Sequence, residues 1–119
     1  MITGREKLLG LYEPWRQWCD WMLTYLDQRG FDPIVTSGRR TYGEQQRLYS
    51  AYLAGRSSLP AAPPGRSAHN YGLAIDVWAG NGQQGAMMNV LRSFGGELVA
   101  GDAPHVQYPG FNAWLHRAA

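Results

Sequence analysis

The sequence has one cysteine, one lysine and no long apolar run. Each scarcity excludes something. A lone Cys19 cannot form an intrachain disulfide. Its helical neighbours Trp15, Trp18, Met22 and Leu23 make it a small core residue. A nucleophilic thiol needs an electropositive setting, which those neighbours do not offer. No stretch approaches the roughly 18 apolar residues of a membrane span. Residues 1–30 carry charges at Arg5, Glu6, Lys7 and Glu13, unlike a signal peptide. The expectation is a soluble chain made in the cytoplasm, reaching the outside only if something releases it. No run of like charges marks a tail, and the formal net charge is only +2. That is too mild to argue for nucleic-acid binding, and no interleaved basic and aromatic stripe supports it. Arginine supplies every cation but Lys7, which suits carboxylate partners, since Arg binds them bidentately.

What remains is ample for a fold. The 119 residues are 45% hydrophobic and 17% charged, which predicts one packed domain spanning residues 1–119. Residues 15–29 read as a helix, with Pro14 in its first turn and Gly30 at its C-terminal cap. Trp15, Trp18, Cys19, Met22, Leu23 and Leu26 form its apolar stripe. Ile34 and Val35 read as a short strand between Pro33 and Gly38. A second helix follows over "TYGEQQRLYSAYLAG", with Leu48, Tyr49, Tyr52 and Leu53 as its apolar face. Residues 56–66, rich in Pro, Ser and Gly, form a loop. "LAIDVW", residues 73–78, is the best strand. Asn81 is a candidate N-cap for a helix whose face is Met87, Met88, Leu91 and Phe94, closed by Gly95 and Gly96. "ELVAG" is a short strand, "HVQY" at 105–108 another, and "FNAWLHRAA" a short C-terminal helix. Helices and strands mix without a regular βαβ beat, so the class is α+β.

Asp76 is the anomaly. It lies inside an otherwise apolar strand, and a buried charge is costly unless paired. Strand alternation puts Ala74, Asp76 and Trp78 on one face and Leu73, Ile75 and Val77 on the other. In 105–108, His105 and Gln107 share a face opposite Val106. If the two strands are neighbours, Asp76 and His105 meet. His69, just upstream, can swing in as a third group. Two imidazoles and a carboxylate form a zinc-type ligand set with room for water, the catalytic pattern. Gly72 would allow a tight turn, and Ala74 would leave open space beside the ion. Asp102, three residues before His105, stands where a general base belongs, or else is a turn aspartate bonding its own backbone. Taken singly, His69 also reads as a capping histidine, Asp76 as an acceptor from a nearby loop, and His105 as a satisfied core histidine. Both sets of readings stay open on the residues alone. His116, beside Trp114 and Arg117, reads as solvated.

Three ordered motifs then match one family. "SAHNYGLAID" fits SxHxxGxAxD through Ser67, His69, Gly72, Ala74 and Asp76. "DAPH" fits [DE]xxH. "VTSGRRTYGEQQRLY" is similar to the preceding SGxR segment, with Arg40 at the arginine position. Over residues 31–108 the chain resembles the D-Ala-D-Ala carboxypeptidase and L-alanyl-D-glutamate peptidase group of zinc peptidases. That group shares the hedgehog signalling-domain fold, which implies a small antiparallel sheet packed with helices. The resemblance implies that His69, Asp76 and His105 hold Zn2+. It implies Asp102 as catalytic base, Arg40 as binder of the substrate carbonyl or carboxylate and stabiliser of the oxyanion, and Ser67 as a substrate contact. The implied partner is the peptidoglycan stem peptide, cut by a monomer of endolysin type at L-Ala-D-Glu, with D-Ala-D-Ala as the alternative bond. A zinc-containing structural or binding module of a phage or wall-spanning machine is the non-catalytic alternative. Two positions depart from the pattern. Arg39 occupies a usually aromatic place after "SG". Glu97 lies where an aromatic-rich stretch is common, and its spacing does not fit the base motif.

Overall fold

The computed structural model describes residues 1–118. A 3-10 turn at Arg5–Leu8 precedes helix α1, Glu13–Gln28. Strand β1 is Pro33–Ser37, and helix α2 is Tyr42–Leu53. A second 3-10 turn, Ala68–Tyr71, leads into β2, Ala74–Ala79. Helix α3, Gln84–Ser93, is followed by β3, Glu97–Leu98, β4, His105–Gln107, and helix α4, Phe111–Ala118. The strands form one antiparallel sheet in the order β1-β2-β4-β3. This is the expected α+β class with a small antiparallel sheet.

The sheet has two unlike faces. Ile75 and Val77 of β2, Val106 of β4 and Val35 of β1 are buried in the main core. Trp15, Cys19, Met22, Leu23 and Leu26 of α1 and Met87, Met88 and Leu91 of α3 cover them. Fully burying each large apolar side chain contributes about 1.5–3 kcal/mol. Strand parity sends Asp76, His105 and Gln107 to the other face. The core thus holds the backbone from one side while the polar groups converge on the other. Cys19 has no exposure, and burial pushes its thiol pKa up, so it is the inert core residue expected.

Four local expectations are corrected. Helix α2 does not bury its apolar side chains: Leu48, Tyr52 and Leu53 are exposed, and its buried residue is Gln45. Its N-terminus is fixed by a capping box between Thr41 and Glu44 rather than by core packing. Asn81 does not cap α3. Its Oδ1 accepts from the Gln83 N–H and its Nδ2 donates to the Gly30 carbonyl, tying the loop to the end of α1. Phe94 leaves the α3 face and packs edge-on against Trp21 and Tyr25 at the surface. Leu73 precedes β2, and packs with Ala68, Ala74 and Phe111 in a second small cluster. No helix of the described residues is long and apolar enough to cross a membrane.

Candidate metal centre

Asp76 lies in β2 with its Cα opposite His105 on β4 and opposite Ser37 on β1. Directly opposed residues of antiparallel strands share a face. Asp76 and His105 therefore meet, as the alternation predicts. His69 arrives from the 3-10 turn. Ser67 Oγ accepts from the His69 N–H at 3.2 Å and so caps that turn. Gly72 ends it with φ 69°, and a Cβ there would lie 3.0 Å from the Gly10 carbonyl oxygen and the Tyr12 nitrogen. The tight turn assigned to Gly72 is real. Ala74 does not face open space: it is fully buried beside Ala68 and Phe111.

The outer partners set the histidine tautomers. His69 Nδ1 is 2.7 Å from the Gly38 carbonyl oxygen, which can only accept. Nδ1 therefore carries the proton, and Nε2 presents its lone pair 3.2 Å from Asp76 Oδ1. His105 Nε2 donates to Gln107 Oε1 at 2.6 Å, leaving Nδ1 unprotonated 3.5 Å from the same Asp76 oxygen. Two lone pairs and an anionic oxygen face one point, an arrangement suited to a cation, whether a metal ion or an added proton. The three donor atoms lie within 4.8 Å of one another. Ligands about 2.0–2.2 Å from a tetrahedral ion stand about 3.3–3.6 Å apart. The separations of 3.2 and 3.5 Å fit that edge length.

Burial pushes the Asp76 carboxyl upward, but when His105 and His69 take a second proton they donate it to this carboxylate, and those hydrogen bonds with the charges of His69 and Arg40 hold its pKa below the usual range. Burial would lower His105, but hydrogen bonds to Asp76 and Gln107 and the nearby carboxylates keep it above its ordinary value. Both directions describe a pocket that favours positive charge. The third acid differs. Asp102 opens a turn in which its carbonyl accepts the His105 N–H at 3.2 Å. Its Oδ2 stands 3.7 Å from His105 Nδ1. Burial raises its pKa, and Asp76 adds to the rise against the opposing effect of His105. Asp102 lies in a turn through its backbone carbonyl rather than its side chain, and that turn places its carboxylate beside His105.

Arg40 reaches the centre past an irregularity between Val35 and Ser37 in β1 that shifts the register. Its Nε donates to Ser37 Oγ at 3.0 Å, Nη1 to Gln45 Oε1 at 3.2 Å, and Nη2 to Asp76 Oδ2 at 2.8 Å. These contacts use three of the five guanidinium donors. Asp76 thus has a second positive partner besides any ion. Around these groups runs a groove of about 440 Å3. Leu48 and Tyr52 of α2, residues 59–62 of the loop, Phe111 and Asn112 form its walls, and Ser67 lines it.

A family model described as VanY, D-alanyl-D-alanine carboxypeptidase, matches residues 12–111. The chain belongs to the VanY family. Arg40, Ser67, His69, Asp76, Asp102 and His105 all lie inside that span. The peptidoglycan L-alanyl-D-glutamate endopeptidase CwlK of Bacillus subtilis is 41% identical over 49 residues, which are 40% of this chain and 29% of CwlK. The L-Ala D-Glu endopeptidase ChiX of Serratia marcescens superposes with a TM-score of 0.59 at 22% identity, over 95% of this chain and 93% of that one. A vancomycin resistance D,D-pentapeptidase VanY in complex with Zn(II) superposes with a TM-score of 0.57 at 25% identity, over 89% of this chain and 76% of that one.

In this VanY-family chain two candidates stay away from the site. Glu97 Oε2 accepts from the Gly110 N–H at 3.0 Å, on the edge strand. His116 is exposed on α4. Three amides that the motifs did not flag support the centre. Gln107 orients His105. Gln45 joins Arg40 to the Ala62 carbonyl of the long loop at 2.8 Å. Asn70 accepts from the Gly65 N–H and donates to the Arg40 carbonyl, stapling the same loop. Gln107 was readable, since it shares the His105 face. Gln45 and Asn70 carried no sequence signal, because only the tertiary fold brings their partners near.

Proposed function

We propose that this VanY-family chain is a zinc-dependent peptidase of the peptidoglycan stem that cuts the L-Ala-D-Glu bond. The carrying observation is the convergence of His69 Nε2, Asp76 Oδ1 and His105 Nδ1, with Asp102 and Arg40 beside them in one groove. The likeness to CwlK supports the choice of bond. His69, Asp76 and His105 would hold a zinc ion, which would supply a Lewis acid and lower the pKa of a water. The chain's own residues do the rest. The spare donors of Arg40 hold the substrate carbonyl and take up its growing negative charge. Ser67 still has a hydroxyl proton to donate to the peptide. Asp102 accepts a proton from the attacking water and passes it to the amine as the C–N bond breaks. Its raised pKa suits that exchange. The products are a carboxylate and a free amine.

Purified muropeptides incubated with the zinc-loaded protein are expected to show new C-terminal L-alanine and N-terminal D-glutamate by mass spectrometry. Loss of a terminal D-alanine instead would favour the carboxypeptidase reading, which the family model supports. No cleavage at full zinc occupancy would overturn both and leave a zinc-containing binding module. We extend the proposal to a monomeric, endolysin-type role. Purified chain should clear a suspension of cell walls, and a chelator should stop it.

A further inference from the structure

A second cavity of about 450 Å3 adjoins the groove, and Arg40 and Leu48 line both. Lys7, Arg39 and Arg47 surround it. Including Arg40, it gathers four of the eleven Lys and Arg residues of a chain whose net charge is only +2. Its one acid, Glu44, is engaged in the α2 capping box, where its Oε1 accepts from the Thr41 N–H. Arg40 is paired with Asp76. Ion pairs among the described residues occupy Arg5, Arg16 and Arg40, and leave Lys7, Arg39 and Arg47 without a carboxylate. Glu44 and solvent offset only part of the repulsion among three like charges around one recess, so a bound anion is favoured there.

The fold fixes the backbone that frames the cavity, and Lys7, Arg39 and Arg47 reach it as exposed side chains. Gly38 is buried beneath it, and a Cβ there would lie 2.0 Å from the Lys7 carbonyl oxygen. Only glycine lets the N-terminal segment press so close and deliver Lys7 to this wall. Arg39 packs along Gly10, on the same segment. Neither Lys7 nor Arg39 is explained by the hydrolytic site: Lys7 precedes the span that the family model matches, and Arg39 lines the second cavity and not the groove.

We propose that this cavity is a carboxylate subsite that selects stem peptides with a free carboxylate away from the reacting bond. The inference rests on the peptidase reading, because its occupant is whatever continues out of the groove past Arg40. A D-glutamate has two carboxyls. Extending the stem uses one and leaves the other free. A diamino dicarboxylic acid as the third residue would add another. Arginine recognises such groups by paired hydrogen bonds, and amidation removes both the charge and the fit.

The test is equilibrium binding to the zinc-stripped protein, so that nothing is cut. Four stem peptides serve as probes: free or amidated at the glutamate carboxyl, each with lysine or a diamino dicarboxylic acid as third residue. The native chain should bind the free-carboxylate forms more tightly, by about two- to fivefold for each arginine engaged. The preference should shrink as salt rises. The carboxyl whose removal weakens binding identifies its source. In the Arg39→Gln/Arg47→Gln chain the preference should vanish, with zinc stoichiometry and thermal midpoint unchanged. Arg29→Gln removes a charge outside both cavities and should keep it. Equal binding of free and amidated peptides, a preference that survives the double substitution, or no binding at all would overturn the subsite. Turnover separates the two proposals. Cleavage without discrimination sinks the subsite and spares the peptidase. Discrimination in binding without cleavage does the reverse.

Discussion

Asp76 has three positive or polar neighbours, and each makes a different demand on it. Arg40 holds Oδ2, while the lone pairs of His69 and His105 face Oδ1. The carboxylate is tolerable because one oxygen has a fixed cation and the other has a place for a second. Asp102 stands outside that ligand set, 3.7 Å from His105. Asp102→Ala should therefore retain stoichiometric zinc by metal analysis and lose at least about 100-fold in kcat. Normal turnover would remove Asp102 as the base. His105→Ala should lose zinc outright. Gln107→Leu removes the acceptor that keeps the His105 proton on Nε2. Competition with a chromophoric chelator should show zinc affinity weakened about 10- to 100-fold. Unchanged affinity would show that the backbone alone fixes the ring.

At the scale of elements, one strand serves two purposes through its parity. Ile75 and Val77 anchor β2 in the core while Asp76 between them faces the groove. Helix α2 makes the opposite use of apolar residues. Leu48 and Tyr52 are partly exposed because they wall the groove instead of filling the core. The two kinds of leucine should behave differently. Leu91→Ala, at a position 1% exposed, is expected to cost about 2–5 kcal/mol in denaturant unfolding. Leu48→Ala should change stability by less than about 0.5 kcal/mol and should raise KM for stem peptides. A large stability loss at Leu48 would mean that α2 is held by that face after all. The Thr41 capping box is the alternative anchor, and Thr41→Ala should cost about 1 kcal/mol without loss of zinc.

For the whole molecule, the sheet separates stability from chemistry. Its packed face, against α1 and α3, needs no metal to form. Its other face gathers lone pairs and carboxylates that repel until a cation joins them. Zinc should therefore stabilise a fold that already exists. At about 100 times the dissociation constant the gain is about 2.7 kcal/mol, or roughly 10 °C in Tm. Calorimetry before and after chelation measures it, with far-ultraviolet circular dichroism expected to keep its shape. Collapse of that spectrum on chelation would mean that the metal is part of the core.

Much of the candidate site was legible because it is written in short-range terms. The period of a strand fixes which face Asp76, His105 and Gln107 occupy. The three-residue step from Asp102 to His105 makes one turn, and the turn itself brings their side chains together. The apolar stripe of α1 and, apart from Phe94, that of α3 followed from periodicity in the same way, and the fold class followed from the order of helices and strands. The tertiary structure decided what depends on segments far apart in the chain. It paired Arg40 with Asp76, set Gln45 and Asn70 against the long loop, and brought Lys7 beside Arg39 and Arg47. It also turned the apolar face of α2 toward the groove and solvent rather than the core. Periodicity states that a face is apolar. Whether that face meets the core or a groove depends on which other elements reach it first.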